Sequence, residues 1–376
     1  MNKSIKEFIY YNILNIPGWH TNRKIVVIES DDWGSLRMPS RKIYDHLISK
    51  GIRVDKLPYN RFDSLESEND LNSLFEVLSS VKDRQGNYPV FTTNTVVANP
   101  DFDKIRDSDF QEYFYEPFTV TLNKYPDHAN SFALLKEGIS KKLMLPQFHG
   151  REHINVSRWM KALKNNTGNT RLAFDLNMYD LSTGYAITEN SFMDALYFEN
   201  ENEISLQKNT IIEGTKLFNE IFGFRSESFM APCYIWSNQL NFTLSNNGIR
   251  TFQGGFYQFE PMGNGEKKSR KRINYTGKTN SYAQKYLIRN VSFEPSENNS
   301  YNWIGNALSQ ITSSFFWRKP AIISSHRMNY MGSIDPANRS QNLKQLNTLL
   351  KEILKKWSDV EFLSSSQLSD LIHNEK

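Results

Sequence analysis

An α/β fold, a parallel sheet or barrel covered by helices, is what three features of these 376 residues predict. Short apolar runs recur along the chain, segments of helical period separate them, and chemically active residues gather where several of the runs end. Strands buried on both faces read as continuous apolar runs, and parallel neighbours need a crossover that is usually a helix, so the alternation points to this class. The candidate strands are Lys24 to Ser30, Pro89 to Val97, Leu143 to Phe148, Arg171 to Asn177, Ser228 to Pro232, Ile249 to Gln253, Pro320 to Ser325 and Val360 to Leu363. Eight strands this short suit a barrel.

Between them, Leu71, Leu74, Phe75 and Leu78 recur at helical spacing, as do Ile211, Ile212, Phe218, Ile221 and Phe222 ahead of Gly223. Both segments are expected as amphipathic helices. The clearest helix runs from about Ala337 to Trp357, with Asp335 as its cap, Pro336 in its first turn, and Leu343, Leu346, Leu350, Ile353 and Trp357 in one stripe. That stripe must cover the sheet. Residues 1–23 read as a short amphipathic extension, because Glu7 and Asn12 break the apolar stretch and leave no signal-peptide core. Residues 24–376 form the barrel, with two insertions, at about 98–140 and 254–282. The second contains Glu266-Lys-Lys-Ser-Arg-Lys-Arg272, read first as a solvated loop and second as a docking patch for an anionic substrate.

The apolar share of 39%, with 13% aromatic residues, describes a globular chain, since disordered chains lack the residues that build a core. A formal charge of +4 is small for this length and argues against nucleic acid as a partner. The single cysteine, Cys233, excludes an internal disulfide framework and any Cys-rich zinc module, which fits a reducing compartment. No apolar segment approaches the ~20 residues that span a bilayer. The expectation is a soluble, cytoplasmic protein with no transmembrane segment.

The run Ile25-Val-Val-Ile-Glu-Ser-Asp31-Asp32-Trp33-Gly places two aspartates at a strand's carboxyl end, where α/β folds gather reactive groups. Neighbouring carboxylates project in different directions, so one can bind a metal while the other works as a base. An Asp-Asp turn bonded to its own amides is an equal reading of the pair alone. His149 and His153 are spaced i, i+4, which on a helical turn sets both imidazoles on one face, within reach of one ion at roughly 2.0–2.1 Å. Two ordinary surface histidines would give the same spacing. With Asp32 as third ligand, the set matches catalytic zinc, which keeps a fourth position open. His326 ends the run Ala321-Ile-Ile-Ser-Ser and is a candidate general acid, or else a histidine satisfied by the core.

In chain order, Ser30-Asp31-Asp32, His149-x-x-x-His153, Phe229-Met-Ala-Pro232-Cys233-Tyr234 and Ile322-Ile-Ser-Ser-His326 resemble the motifs of the polysaccharide deacetylases, the NodB-homology superfamily. The resemblance extends from about residue 24 to the C-terminus. It implies a distorted (β/α)7-type barrel that binds a divalent metal, commonly zinc, through one Asp and two His. By position, Asp31 matches the family's base, Asp32, His149 and His153 its metal ligands, and the Cys233 amide its oxyanion donor. His326 matches the histidine that protonates the leaving amine. Pro232, beside Cys233, and Arg327, beside His326, join the residues expected at the oxyanion and substrate.

Two departures stand out. Met230 occupies the place of the arginine that pairs with the family's base, and the aspartate that orients that arginine is not recognisable between residues 240 and 300. Arg289 and Glu294 are read as an ordinary surface ion pair in preference to a replacement from another strand. Trp33, Tyr234 and Trp236 are candidate platforms for a sugar ring, though the core claims such aromatics more often. The function expected is metal-dependent removal of acetyl groups from an N- or O-acetylated sugar, on a carbohydrate that is nucleotide- or lipid-linked. The alternatives are a carbohydrate-binding barrel without turnover and an amidohydrolase or glycosidase acting on another substrate.

Overall fold

Nine strands join in one sheet in the computed structural model, which describes residues 10–182, 192–263 and 269–374. They are β1 (Lys24–Trp33), β2 (Phe91–Thr95), β3 (Met144–Phe148), β4 (Ser228–Met230), β5 (Thr251–Gly254), β6 (Lys285–Ile288), β7 (Val291–Ser292), β8 (Ala321–His326) and β9 (Val360–Leu363). Their order is β6-β5-β4-β3-β2-β1-β8-β7, with β9 along the first half of β1, and every pairing is parallel.

The two ends of that order are consecutive in the chain. Arg289 donates its amide to Gly254 O at 2.9 Å on the β5 side, and Asn290 donates to Ile322 O at 3.2 Å on the β8 side. One stretch of backbone therefore belongs to both edges, and the sheet must curl until they meet. Counted as one stave, β6 and β7 close a ring with β5, β4, β3, β2, β1 and β8, which is an α/β barrel.

Alternation along β1 separates inside from outside. Ile25 and Val27 pack with Leu287 and Ile322 from β6 and β8, whereas Val26 and Ile28 pack beneath the helices. The C-terminal helix Ser365–Asn374 adds Leu368 and Ile372 to the inner cluster and plugs that end. Outside lie α1 (Glu68–Ser79), α2 (Glu203–Phe222), α3 (Trp303–Phe316) and α4 (Pro336–Lys356). α1 begins at a capping box, Ser67 with Asp70, and α2 ends at Gly223 with φ 77°. Asp335 caps α4, whose Leu343, Leu346, Leu350 and Ile353 are buried. No helix among the described residues is long and apolar enough to cross a membrane.

Seven of the eight expected strands are present, and one is corrected. Arg171 to Asn177 lies on a helix, Thr170–Asp175, with Thr170, Ala173 and Phe174 buried at helical spacing. Phe174 packs against Trp159, Phe102 and Phe110, and a run of seven residues is too short for its period to distinguish the two structures. β6 and β7 were not expected, being four and two residues long. Residues 98–140 hold a short antiparallel pair, Ala98–Pro100 with Tyr115–Pro117, and end in the helix Ser131–Ser140, which packs on α1. In the second insertion, Tyr257–Pro261 pairs antiparallel with Ser269–Ile273. Of the basic run, Glu266, Lys267 and Lys268 lie outside the described residues, and Ser269 to Arg272 lie on the second strand of this pair. Of the expected N-terminal extension, residues 1–9 lie outside the described residues, and residues 10–14 are helical.

Candidate metal centre

The carboxyl ends of β3, β2, β1 and β8 lie side by side, so groups far apart in sequence surround one cavity of about 460 Å³. Asp31 stands in register with His326 on the neighbouring strand. By alternation Glu29 and Asp31 follow Ile25 and Val27 to the inside of the barrel, and Asp32 should point away. It does not, because Asp32 takes a left-handed backbone, φ 72°, where the pairing of β1 with β2 shifts register. Both carboxylates thus line the cavity.

Asp32 Oδ1 lies 3.4 Å from His149 Nε2 and 3.2 Å from His153 Nε2, and one ligand atom from each residue lies within 4.8 Å of the others. His149 Nδ1 is 2.8 Å from Met230 O, and since a carbonyl only accepts, Nδ1 carries the proton. Nε2 of a neutral His149 then points a lone pair at a carboxylate oxygen. Two acceptors face each other there, which a cation between them would resolve. Burial lowers the His153 pKa, opposed by Asp32 and reinforced by Arg37, so this ring favours its neutral, ligating form. These residues fit a divalent metal held by two imidazoles and one carboxylate, a donor set typical of zinc.

The imidazole pair sits on a loop, not on the expected helical turn. Residues 149–155 are irregular, Gly150 has φ 109°, and the helix Val156–Lys164 starts only afterwards. Val97 and Ala98 donate their amides to Gly150 O and Arg151 O and fix the loop against the strand beside it.

Asp31 has different company. Arg289 donates from Nη1 and Nη2 to its two oxygens, each at 2.6 Å, and from Nε to Glu29 at 2.7 Å; Asn94 donates to Asp31 Oδ1 at 2.7 Å. Burial alone would raise the Asp31 pKa, but Arg289 foremost, with His326, holds it well below the usual carboxylate range. Glu29 is raised by burial, against the pull of Arg289 and a hydrogen bond from Ser365. His326 Nδ1 lies 2.7 Å from Glu294 Oε1, and its Nε2 lies 3.8 Å from Asp31 Oδ2. Burial disfavours its charge, but Glu294 and then Asp31 and Asp32 prevail, and its pKa rises to about 10. Asn329 anchors the other Glu294 oxygen at 2.7 Å.

Arg289 and Glu294 are therefore corrected from surface partners to interior residues, 6% and 5% exposed, serving Asp31 and His326 separately. Arg289 supplies, from the barrel-closing segment, the cation that Met230 cannot. Trp33 and Trp236 are buried, 1% and 2% exposed: Trp33 donates to Ser30 Oγ, and Trp236 stacks on Phe252, so neither offers a ring face to a sugar. Arg327 is enclosed by Asp63, Glu66 and Ser35 O and is a core cation, not a substrate contact. Pro232 is buried and lines a separate cavity beside Gly150 and Arg151. Cys233 and Tyr234 do line the main cavity, both with left-handed backbone, φ 57° and 58°. Glu29, Asn94 and Arg37 were missed. Only Glu29 left a signal, a charge two positions before Asp31 in an apolar run.

No family model matches the chain, and no curated protein matches it. Among solved structures, it is similar to a 4-α-glucanotransferase from Thermococcus litoralis, at 8% identity and TM-score 0.46, over 93% of this chain and 40% of that one. It spans well under half of that enzyme's length. It is also similar to a structure assigned as a polysaccharide deacetylase from Mycobacterium smegmatis, at 9% identity and TM-score 0.43, over 95% and 92% of the two chains. An allantoinase matches at 9% identity and TM-score 0.46, over 95% and 93%. At these values the functional reading rests on the side chains alone.

Proposed function

We propose that the chain is a metal-dependent hydrolase that removes an acetyl group from an N- or O-acetylated sugar. One observation carries this reading: two adjacent carboxylates face one cavity, Asp32 against a pair of imidazoles and Asp31 against an arginine, with His326 across from it. Asp32, His149 and His153 would hold the metal, zinc by preference, and bound there it supplies Lewis acidity toward an acyl oxygen and its attacking water.

The chain's own groups divide the proton work. Asp31, kept ionised by Arg289, accepts the proton that the attacking water gives up. His326, kept protonated by Glu294, donates to the departing amine or alcohol. The Cys233 amide, on the cavity wall, is the proposed donor to the developing oxyanion. Tyr234 is the remaining aromatic candidate for contact with the sugar. Ser269 and Phe259 also line the cavity, while Arg270, Lys271 and Arg272 continue the Ser269 strand. This positive charge supports an anionic substrate, which we read as a phosphate-bearing, nucleotide- or lipid-linked precursor.

The test is metal content followed by acetate release from N- and O-acetylated sugars, with and without chelator. His149→Ala and His153→Ala are expected to lose metal and activity together. Asp31→Asn should keep the metal and lose roughly 10²–10⁴-fold in turnover. Stoichiometric metal with no acetate released from any of the sugars would reject the deacetylase reading, and turnover retained in Asp31→Asn would reject the base.

A further inference from the structure

The guanidinium of Arg37 has no role in the chemistry above, yet it lines the same cavity at 8% exposure. Its nearest carboxylates are far for hydrogen bonds: Nη2 is 3.6 Å from Asp32 Oδ2, and Nε is 3.7 Å from Asp63 Oδ2. Nε has no hydrogen-bond partner among the described residues. Nη1 meets Met193 Sδ at 2.9 Å, and a thioether accepts only weakly. Asp63 serves Arg327 through Oδ1, at 2.9 and 3.0 Å, and its Oδ2, which faces Nε, has no hydrogen-bond partner among the described residues. What holds the group in place is aromatic, with the Tyr59 ring centroid 5.2 Å and the Tyr179 centroid 6.0 Å from its central carbon.

A guanidinium steadied by rings and poorly served at its donors is unusual in a buried setting, where polar groups ordinarily find acceptors. A metal on Asp32 would draw on the nearer carboxylate and leave the cation less compensated still. Asp63 Oδ2 faces Nε, so the donors left to a ligand are the outer pair, Nη1 and Nη2, and the planar fork of an arginine matches the two oxygens of a carboxylate.

We infer that Arg37 is a carboxylate receptor in the wall of the cavity. The carboxylate has two possible sources, an acidic substituent on the sugar or the acetate that hydrolysis releases, and the second rests on the deacetylase reading. Because Nη2 approaches Asp32, a bound carboxylate lies beside the metal ligands, where either the released acid or a substituent on the reacting sugar unit would sit.

The experiment is calorimetric binding to the zinc-loaded full chain of two matched pairs, acetate with acetamide and glucuronate with glucose. In the wild type a carboxylate is expected to bind at least about tenfold tighter than its neutral counterpart, the usual effect of charge-assisted hydrogen bonds. A preference shown by acetate assigns the released acid; one confined to glucuronate assigns a substituent. Arg37→Met should lose the preference at unchanged zinc stoichiometry. Equal affinities in the wild type, or a preference that survives in Arg37→Met and so belongs to the zinc, overturn the assignment. If Arg37→Met does not fold, Arg37→Lys replaces it, keeping the charge without the fork, and an undiminished preference there is the overturning result. Arg37-dependent binding with no acetate release from any acetylated sugar would reject the deacetylase reading while leaving the receptor intact.

Discussion

Glu294 lies 2.7 Å from Nδ1 of His326, and that contact decides the pH range over which the imidazole carries its proton. With its pKa raised to about 10, His326 is protonated at neutral pH and loses its proton only as pH rises through that value. A general acid of this kind sustains kcat/KM up to about pH 10. Glu294→Gln removes the leading cause of the shift, so the alkaline limb should move toward the ordinary histidine value near 6.5. A pH–rate profile whose alkaline limb is the same in both proteins would exclude His326 as the acid. The same linkage governs stability: the ion pair contributes fully below about pH 6.5, and its contribution fades as pH climbs toward 10. Asp31 shows the opposite sign, since Arg289 keeps it charged through the whole neutral and mildly acidic range.

The segment Lys285–Ser292 is where one element performs two tasks. Its backbone closes the barrel, and the one side chain at the junction able to reach Glu29 and Asp31 does so with three hydrogen bonds of 2.6–2.7 Å. Arg289→Met would leave two buried carboxylates without their counterion, and stability should fall by about 3–5 kcal/mol, as when one partner of a buried pair is removed. Urea unfolding measures it; a loss below about 1 kcal/mol would mean the cation is not holding them. The element was hard to read in advance because Lys285–Ile288 and Val291–Ser292 are short and an Arg-Asn pair interrupts them. Longer elements were plain. α4 carried its cap, its proline and its stripe in the sequence, and all are where the spacing put them except Trp357, which follows the helix as its extended C-cap.

Across the whole molecule, metal binding at the proposed site would be linked to folding, because Asp32 on β1 and the two histidines after β3 come together only when the barrel forms. Zinc at a hundred times its dissociation constant should therefore stabilise the fold by about 2.7 kcal/mol. The melting midpoint is expected to rise by several degrees on loading and to fall back with chelator. His153→Ala should show no such rise, and a zinc-dependent shift of equal size in that variant would put the metal elsewhere.

What the amino-acid sequence determined by itself is the inventory: apolar runs long enough to be strands, helices with legible caps and stripes, and Asp31, Asp32, His149, His153 and His326 at strand ends. Those signals are local, so spacing and residue type suffice to read them. Tertiary structure alone decided which of the conspicuous residues meet. Trp33 and Trp236 went to the interior, where removing their apolar area from water stabilises the fold, and Arg327 could follow because Asp63 and Glu66 pair its charge there. Arg289 reached Asp31 across 258 positions because curling the sheet joins its two edges. The left-handed turn at Asp32, which no side-chain pattern announces, brought the second carboxylate into the cavity. Contacts of that range depend on how strands pair, and pairing is a property of the folded chain.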